Sequence, residues 1–283
     1  MGQMPAWLRG VSYALYAFLY LPILLIILYS FNRARFGLVW TGFTFDWYIS
    51  LFQNPMAWRA TQNTLILALV STLISTVFGS LLGYGLYRYR FPGKNAFQGL
   101  MLLPVIIPDI VMAITLLLFY RFLRYYTGLF ELGLGTMILA HITFQISFVA
   151  IVVRSRLQLL DPALEEAAHD LYANTWQKLR YVTLPLAMPG ILAAALLAFT
   201  LSIDDFVISF FTSGPESLTL PILIYSSVRR GVTPEINALS TLIILVTLVV
   251  VIGSPLLGRL RQGPHFTNLT KSSVKPPVSN RGI

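Results

Sequence analysis

Three carboxylates in this 283-residue chain stand where a carboxylate is costly: Asp109, Asp204 and Asp205 each fall inside a run of apolar residues long enough to cross a bilayer. A charged group at the centre of a membrane helix costs about 2.5 to 3.5 kcal/mol on insertion scales, so each needs a partner, a water-filled cavity or a task. The chemistry open to such a set is the handling of cations or protons. Asp109 follows Pro104 and Pro108, whose missing backbone donors predict a kink or break near mid-bilayer. Broken helices at that depth are tolerated where they face protein or a cavity, which makes Asp109 a pore-lining candidate. Asp204 and Asp205 are neighbours, and on a helix they point about 100° apart. Asp205 shares its face with Ser202 and Ser209, and Asp204 shares its own with Thr200 and Ile208. We therefore assign Asp205 and Ser202 to the pore, and Asp204 to a neighbouring helix or the outer vestibule. A structural alternative stays open, in which all three acids pair with arginines or cap broken helices.

Other chemistries find no residues to carry them. The only Gly-Lys pair, Gly93 and Lys94, lacks the upstream glycine and following hydroxyl of a phosphate-binding loop, and neither HExxH nor GxSxG occurs. With no cysteine there is no disulfide, thiol nucleophile or cysteine-held metal. His141, His169 and His265 are too scattered for a metal site, and His141 reads as a helix-end residue with a satisfied hydrogen bond. No cofactor is expected on this chain. Energy for uphill transport would come from an ion gradient or from a separate subunit.

The elements that must position these acids are transmembrane helices. Hydrophobic residues make up 56% of the chain and charged ones 11%, less than half the share in soluble domains. Six runs are long enough to span, at about 11–31, 63–87, 98–120, 135–153, 188–211 and 236–257. The first is too long for a signal-peptide core and is followed by no clear cleavage site, so it reads as a retained helix after a cytoplasmic N-terminus of residues 1–10. With the N-terminus inside, thirteen Lys and Arg lie on the inner side and seven on the outer, placing both termini in the cytoplasm. The net charge of +9 therefore reflects topology, and no basic groove pattern points to nucleic acid. Trp40, Trp47, Tyr48 and Trp58 in outer segments read as interfacial aromatics. In the second span Ser71, Ser75, Gly79 and Gly83 form one row at i, i+4 and Ala68, Thr72, Thr76 and Ser80 the next, a pattern that lets helix backbones approach closely. The Pro-, Ser- and Lys-rich tail, 261–283, is expected to be a disordered cytoplasmic segment.

One stretch breaks the apolar pattern. The loop at 154–187 carries four basic and four acidic residues, and so lacks the basic excess of a membrane-surface anchor. Within it, EEAAHDLYANTWQKLRYVTLP (165–185) has helical spacing. Asp161 and Pro162 make a helix start, as N-cap and first helical residue, and Glu165 and Glu166 follow near the positive helix end. That helix is expected to run to about Tyr172, with a turn at Asn174 and Thr175 and a second helix over 176–184. Two short helices at an angle on the cytoplasmic surface suit a cleft in a soluble partner; an ordinary solvated connector is the simpler reading.

The run Glu166, Ala167, Ala168, with Val182, Leu184 and Pro185 at the right distance, resembles the EAA loop of permease subunits of binding-protein-dependent ABC importers. YLPILLIILYSFN (20–32), WTGFTFDWYISLF (40–52), PDIVMAI (108–114), FTLSIDDFVISFF (199–211) and GVTPEINALSTL (231–242) are similar to blocks of the spermidine/putrescine type. The resemblance implies an all-α integral membrane protein of six transmembrane helices, with a type I (MetI-like) permease core over 11–260. It implies that Glu165, Glu166, Ala167, Ala168, Asp170, Tyr172, Leu184 and Pro185 form the coupling element against an ATPase. It also implies a second permease subunit, an ATPase dimer that binds ATP and Mg, and a periplasmic or lipid-tethered substrate-binding protein, in the bacterial inner membrane. Polyamines are polycations, which agrees with the intramembrane acids. The family pattern has glycine where this chain has Tyr172, so the turn is expected to shift to Asn174 or the loop to pack differently. Two rivals remain: an ion-coupled secondary transporter using the three acids, and a membrane sensor or scaffold that binds a partner without flux.

Overall fold

A computed structural model describes residues 5–34 and 39–261. The tail at 262–283 lies outside the described residues, and with it the expectation of disorder. In chain order the helices are α1 (Ala6–Tyr29), α2 (Asp46–Gln53), α3 (Pro55–Arg88), α4 (Lys94–Ile106), α5 (Asp109–Thr127), α6 (Leu134–Gln158), α7 (Pro162–Asp170), α8 (Thr175–Lys178), α9 (Leu184–Ile203), α10 (Val207–Thr212), α11 (Leu220–Arg230) and α12 (Pro234–Arg261). A π-helical turn, Leu179–Thr183, joins α8 to α9. Among the described residues the only β pairing is one antiparallel bridge, Asn32 to Phe43. Among the described residues, five helices are long and apolar enough to cross a membrane: α1 from Trp7, α3, α5, α6, and the continuous Thr175–Ile203. Helix α12 opens with the shorter apolar stretch Pro234–Leu248.

The described parts of Met1–Ile49 and Thr233–Ile283 make one compact unit, in which α1 packs on α12. The chain after α1 is tied down by Asn32, which is fully buried. Its Nδ2 donates to Val39 O at 2.9 Å, its Oδ1 accepts from Thr41 N at 3.0 Å, and its carbonyl accepts from Trp47 Nε1 at 2.8 Å. Trp47 and Tyr48, expected at the interface, thus also fix this loop, Tyr48 through a 2.7 Å bond with Ser30 Oγ.

The second unit, Ser50–Val232, is built on α3, α6 and α9. Asn54 caps α3 by accepting from Met56 N and Ala57 N, and Pro55 takes the first helical position, where its missing donor costs nothing. Ser71, Ser75, Gly79 and Gly83 are all buried on one face, as their spacing predicts. A Cβ on Gly79 would lie 2.6 Å from Val149 Cβ, and one on Gly83 2.8 Å from the Ala150 carbonyl, so α3 and α6 touch backbone to backbone there. Ala187, Ala194 and Ala198 of α9 close the same core against Val149, Val153 and Leu157 of α6.

Two expected spans are broken. The run at 98–120 divides at Ile107 and Pro108, both extended, because a proline pushes its predecessor out of the helical region and gives the backbone no donor. Asp109 is consequently the first residue of α5 rather than the middle of a span. The run at 188–211 stops at Ile203 and restarts at Val207. This break carries no proline; hydrogen bonds to Asp205 replace the missing helical ones.

Candidate functional site

The two breaks face one cavity of about 350 Å³ in the second unit. Pro104, Asp109 and Met112 line it from the α4–α5 side, Phe144 and Phe148 from α6, and Asp204, Asp205 and Phe206 from the α9–α10 link. All three sequence-predicted acids therefore meet at one place. Their roles in the geometry differ. Asp109 and Asp204 are exposed to the cavity, and neither forms an ion pair with a described residue; the Asp204 carboxylate meets only its own backbone amide.

Asp205 is turned inward, its side chain only 10% exposed. Its carboxylate accepts from Ser209 N at 2.7 Å and Ile208 N at 3.3 Å, capping α10, and Oδ2 lies 3.3 Å from His141 Nε2. The geometry differs from that of a continuous helix: residues 204–206 are not helical, so the 100° separation does not apply, and both Asp204 and Asp205 line the cavity, Asp204 as the more open carboxylate.

His141 is the residue that sequence reasoning misplaced. It sits well inside α6, fully buried, with Nδ1 2.7 Å from Ser202 Oγ and Nε2 3.1 Å from Ser209 Oγ. With Nε2 donating towards the carboxylate, Nδ1 is left to accept from Ser202. Ser202 lies 3.2 Å from Ser71 Oγ of α3. One turn on, Gln145 Oε1 accepts from Ser75 at 2.8 Å while its Nε2 donates to the Ala198 carbonyl at 3.1 Å. Two adjacent sets of polar contacts, one turn apart, thus make a polar chain that threads α3, α6, α9 and α10 beside the cavity. Ser202, expected on the pore, is 1% exposed and belongs to this chain. The available signal was spacing: His141 and Gln145 are four apart, on the face of α6 that meets the Ser71 and Ser75 row.

The charged segment forms a second feature at the far end of α3. Asp161 caps α7 through Ala163 N at 2.9 Å, with Pro162 first in the helix, as expected. The helix ends at Asp170, and the turn falls at Tyr172 itself, which adopts φ +59°. Asn174 was the expected site of a shifted turn. Instead it caps α8, its side chain accepting from Gln177 N while Gln177 Oε1 accepts from Asn174 N. The second short helix is α8 with the π turn, running on into α9 without a stop; Leu184 and Pro185 are the first residues of α9.

Of the segment's acids, Glu165 faces inward. Its Oε2 accepts from Arg88 Nη1 at 2.7 Å and lies 3.5 Å from Lys178 Nζ, joining α7 to the end of α3 and to α8. Ala168 is buried beneath α7, whereas Glu166, Ala167 and Asp170 are exposed. Leu171, Tyr172 and Trp176 are also exposed, Tyr172 at 96%. The outcome is a helix held from below with an apolar and acidic upper surface.

Residues 75–260 match the family described as binding-protein-dependent transport system inner membrane component. The chain is 45% identical over 250 residues to the spermidine/putrescine transport system permease protein PotC of Escherichia coli K12, covering 88% of this chain and 93% of that one. It is 42% identical over 231 residues to the putrescine transport system permease protein PotI of the same organism, covering 81% and 82%. In fold it is similar to a chain of the bacterial alginate ABC transporter solved with an alginate-pentasaccharide-bound periplasmic protein, with a TM-score of 0.72 at 21% identity over 91% of this chain and 94% of that one. With the family match extending over residues 75–260 and 45% identity over 88% of its length, the chain belongs to the inner membrane components of binding-protein-dependent transport systems.

Proposed function

We propose that this chain is a permease subunit of an ATP-driven importer that moves a polyamine, spermidine or putrescine, through the cavity bounded by Asp109 and Asp204. The observation that carries the reading is the meeting of two carboxylates, neither in an ion pair with a described residue, with Phe144, Phe148 and Phe206 around one space. A polyamine is a string of ammonium groups on methylene spacers, and carboxylates and ring faces are the two groups that hold ammonium ions where water is scarce. The names of the 45% and 42% identical relatives point to the same cargo. Asp205 and Ser202 serve the path indirectly, by holding the α9–α10 break in place.

In this reading α12 is the sixth span, both termini are cytoplasmic, and the chain pairs with a second permease subunit. A periplasmic or lipid-tethered binding protein delivers cargo, and an ATPase dimer holding ATP and Mg docks on the α7 surface. Glu166, Ala167, Asp170, Tyr172 and the neighbouring Leu171 and Trp176 meet that ATPase; Glu165 and Ala168 anchor the element from beneath, and Leu184 and Pro185 lead it into α9. The complex works by alternating access.

The test is uptake of labelled spermidine by the complete complex in proteoliposomes. Asp109→Asn and Asp204→Asn should each lower uptake about ten-fold, as the loss of one charge-assisted bond implies, with ATP hydrolysis retained. Undiminished uptake by the double variant would overturn the assignment.

A further inference from the structure

Where α3 and α6 end beside α7, the bundle carries cations with no acid to meet them. Leu86 of α3, Met101 of α4 and Ala150 of α6 pack in one cluster, with Leu82 and Ile151 against it. Arg154 follows Ala150 by one turn and so leaves α6 on this same face, about 6 Å nearer the end of the helix. Its Nε is buried without a hydrogen-bond partner, and no described acid pairs with it. Arg88, the last residue of α3, is already taken by Glu165. The link to α4 adds Arg90, which is exposed, and Lys94, which opens α4 about 10 Å beyond Met101 and donates to Tyr89 O at 2.8 Å. Neither makes an ion pair with a described acid.

The same link is aromatic where it is open. Tyr89, Phe91 and Phe97 are all more than 40% exposed, and the rings of Phe91 and Phe97 meet edge to face at 6.4 Å. No acidic residue occurs between Arg88 and Asp109. Cations beside exposed rings at the end of a membrane helix match the headgroup layer of a bilayer, which offers phosphate to the first and glycerol and upper methylenes to the second. A protein surface fits less well. The α7 face exposes Glu166 and Asp170, so a partner that complements α7 is basic there and would be repelled by Arg90 and Lys94.

We infer that Arg90, Lys94 and Arg154 hold the phosphate of an anionic phospholipid, with Tyr89, Phe91 and Phe97 against its glycerol and first methylenes. This rests on the proposed topology, which puts the link at the inner leaflet. The guanidinium of Arg154 gains an oxyanion for a donor that the protein leaves unpaired, and a guanidinium binds two phosphate oxygens at once. The bound lipid ties the end of α3 to the start of α4, next to the Arg88–Glu165 pair that holds α7.

The experiment places the complete complex in nanodiscs of equal parts phosphatidylglycerol and phosphatidylcholine. Native mass spectrometry then reads the ratio of the two lipids retained on this chain after the complex is dissociated. Near a membrane surface each cation favours an anionic lipid by a factor of about five. Arg154→Gln should therefore lower the retained ratio about five-fold, and Arg90→Gln with Lys94→Gln by more, while Arg154→Lys keeps the charge and should retain most of it. Arg180→Gln removes an exposed cation outside the link and should leave the ratio unchanged. A parental ratio in Arg154→Gln, or an equal loss in Arg180→Gln, would overturn the site. So would an ATPase subunit lost from the Arg90→Gln, Lys94→Gln variant with the lipid ratio intact, which would make the link a protein contact. The chain has no cysteine, so Asn95→Cys, at the exposed start of α4, reports which side of the membrane the link occupies. Labelling of that cysteine by an impermeant maleimide from outside the cell would be a failure of the topology alone, read separately from the lipid ratio.

Discussion

At the scale of the residue, His141 joins three polar partners in the second unit, Ser202, Ser209 and Asp205. Hydrogen bonds between membrane helices average about 0.6 kcal/mol, so two contacts to serines alone would matter little. The third contact is a hydrogen bond to a buried carboxylate, and a bond to a charged group is worth about 1.5 to 3 kcal/mol. His141→Leu leaves Asp205 with the Ser209 and Ile208 amides and should therefore destabilise the complex by about 2 kcal/mol, read as a lowered melting temperature in nanodiscs, and loosen the α10 cap. Ser209→Ala, which leaves the carboxylate pair in place, should cost under about 1 kcal/mol. Equal stability of His141→Leu and the parent would mean that the polar chain beside the cavity does not hold the break.

At the scale of the element, the turn between α7 and α8 shows how a helix pair accommodates a residue that suits it poorly. Three bonds close the end of α7, from Leu171 N to Ala167 O, Tyr172 N to His169 O, and Ala173 N to Ala168 O at 3.1 Å, and they require a left-handed residue at 172. A non-glycine residue pays about 1 kcal/mol or more for that conformation. The turn nevertheless stays put, because Asn174 is already committed to capping α8 and cannot also serve as the left-handed residue. Tyr172→Gly should relieve the strain by about 1 kcal/mol and slow exchange of the Ala173 amide hydrogen about five-fold. An unchanged or faster exchange rate would place the strain elsewhere. The same element shows what was legible in the sequence. Asp161 with Pro162 announced the start of α7, and the small-residue row announced the α3–α6 contact, since each depends on residue types at fixed spacing. The break before Asp109 was legible too, from Pro108. The break after Ile203 was not. Nothing local marks it, and it exists because Asp205 is drawn to a histidine sixty-four positions earlier, a contact that only the tertiary fold creates. The division of the acids into open and engaged carboxylates was hidden for the same reason.

At the scale of the whole molecule, the second unit connects its two functional features through α3. At one end of this helix Arg88 grips Glu165 beneath the α7 surface; along its length Ser71 and Ser75 meet the polar chain that fixes the cavity wall. Under the proposed function, a push on α7 from an ATPase would have a direct mechanical route to the cavity, one that a gradient-driven transporter would not need. An exposed ion pair contributes only about 0.2 to 1 kcal/mol to stability, so loss of the Arg88–Glu165 pair should leave the fold intact. Its loss should show instead in coupling. Arg88→Glu places two like charges together and should lower spermidine imported per ATP hydrolysed severalfold, while Glu165→Arg alone should do the same by facing both Arg88 and Lys178. The double exchange, Arg88→Glu with Glu165→Arg, restores opposite charges across the same 2.7 Å contact and should recover most of the ratio. Recovery that depends on the pair, together with uptake that stops with an ATPase inhibitor and persists with an uncoupler, would tie transport to α7. Single variants that import at the parental ratio would mean that the push reaches the cavity through α9 instead, by way of the π turn that joins it to α8.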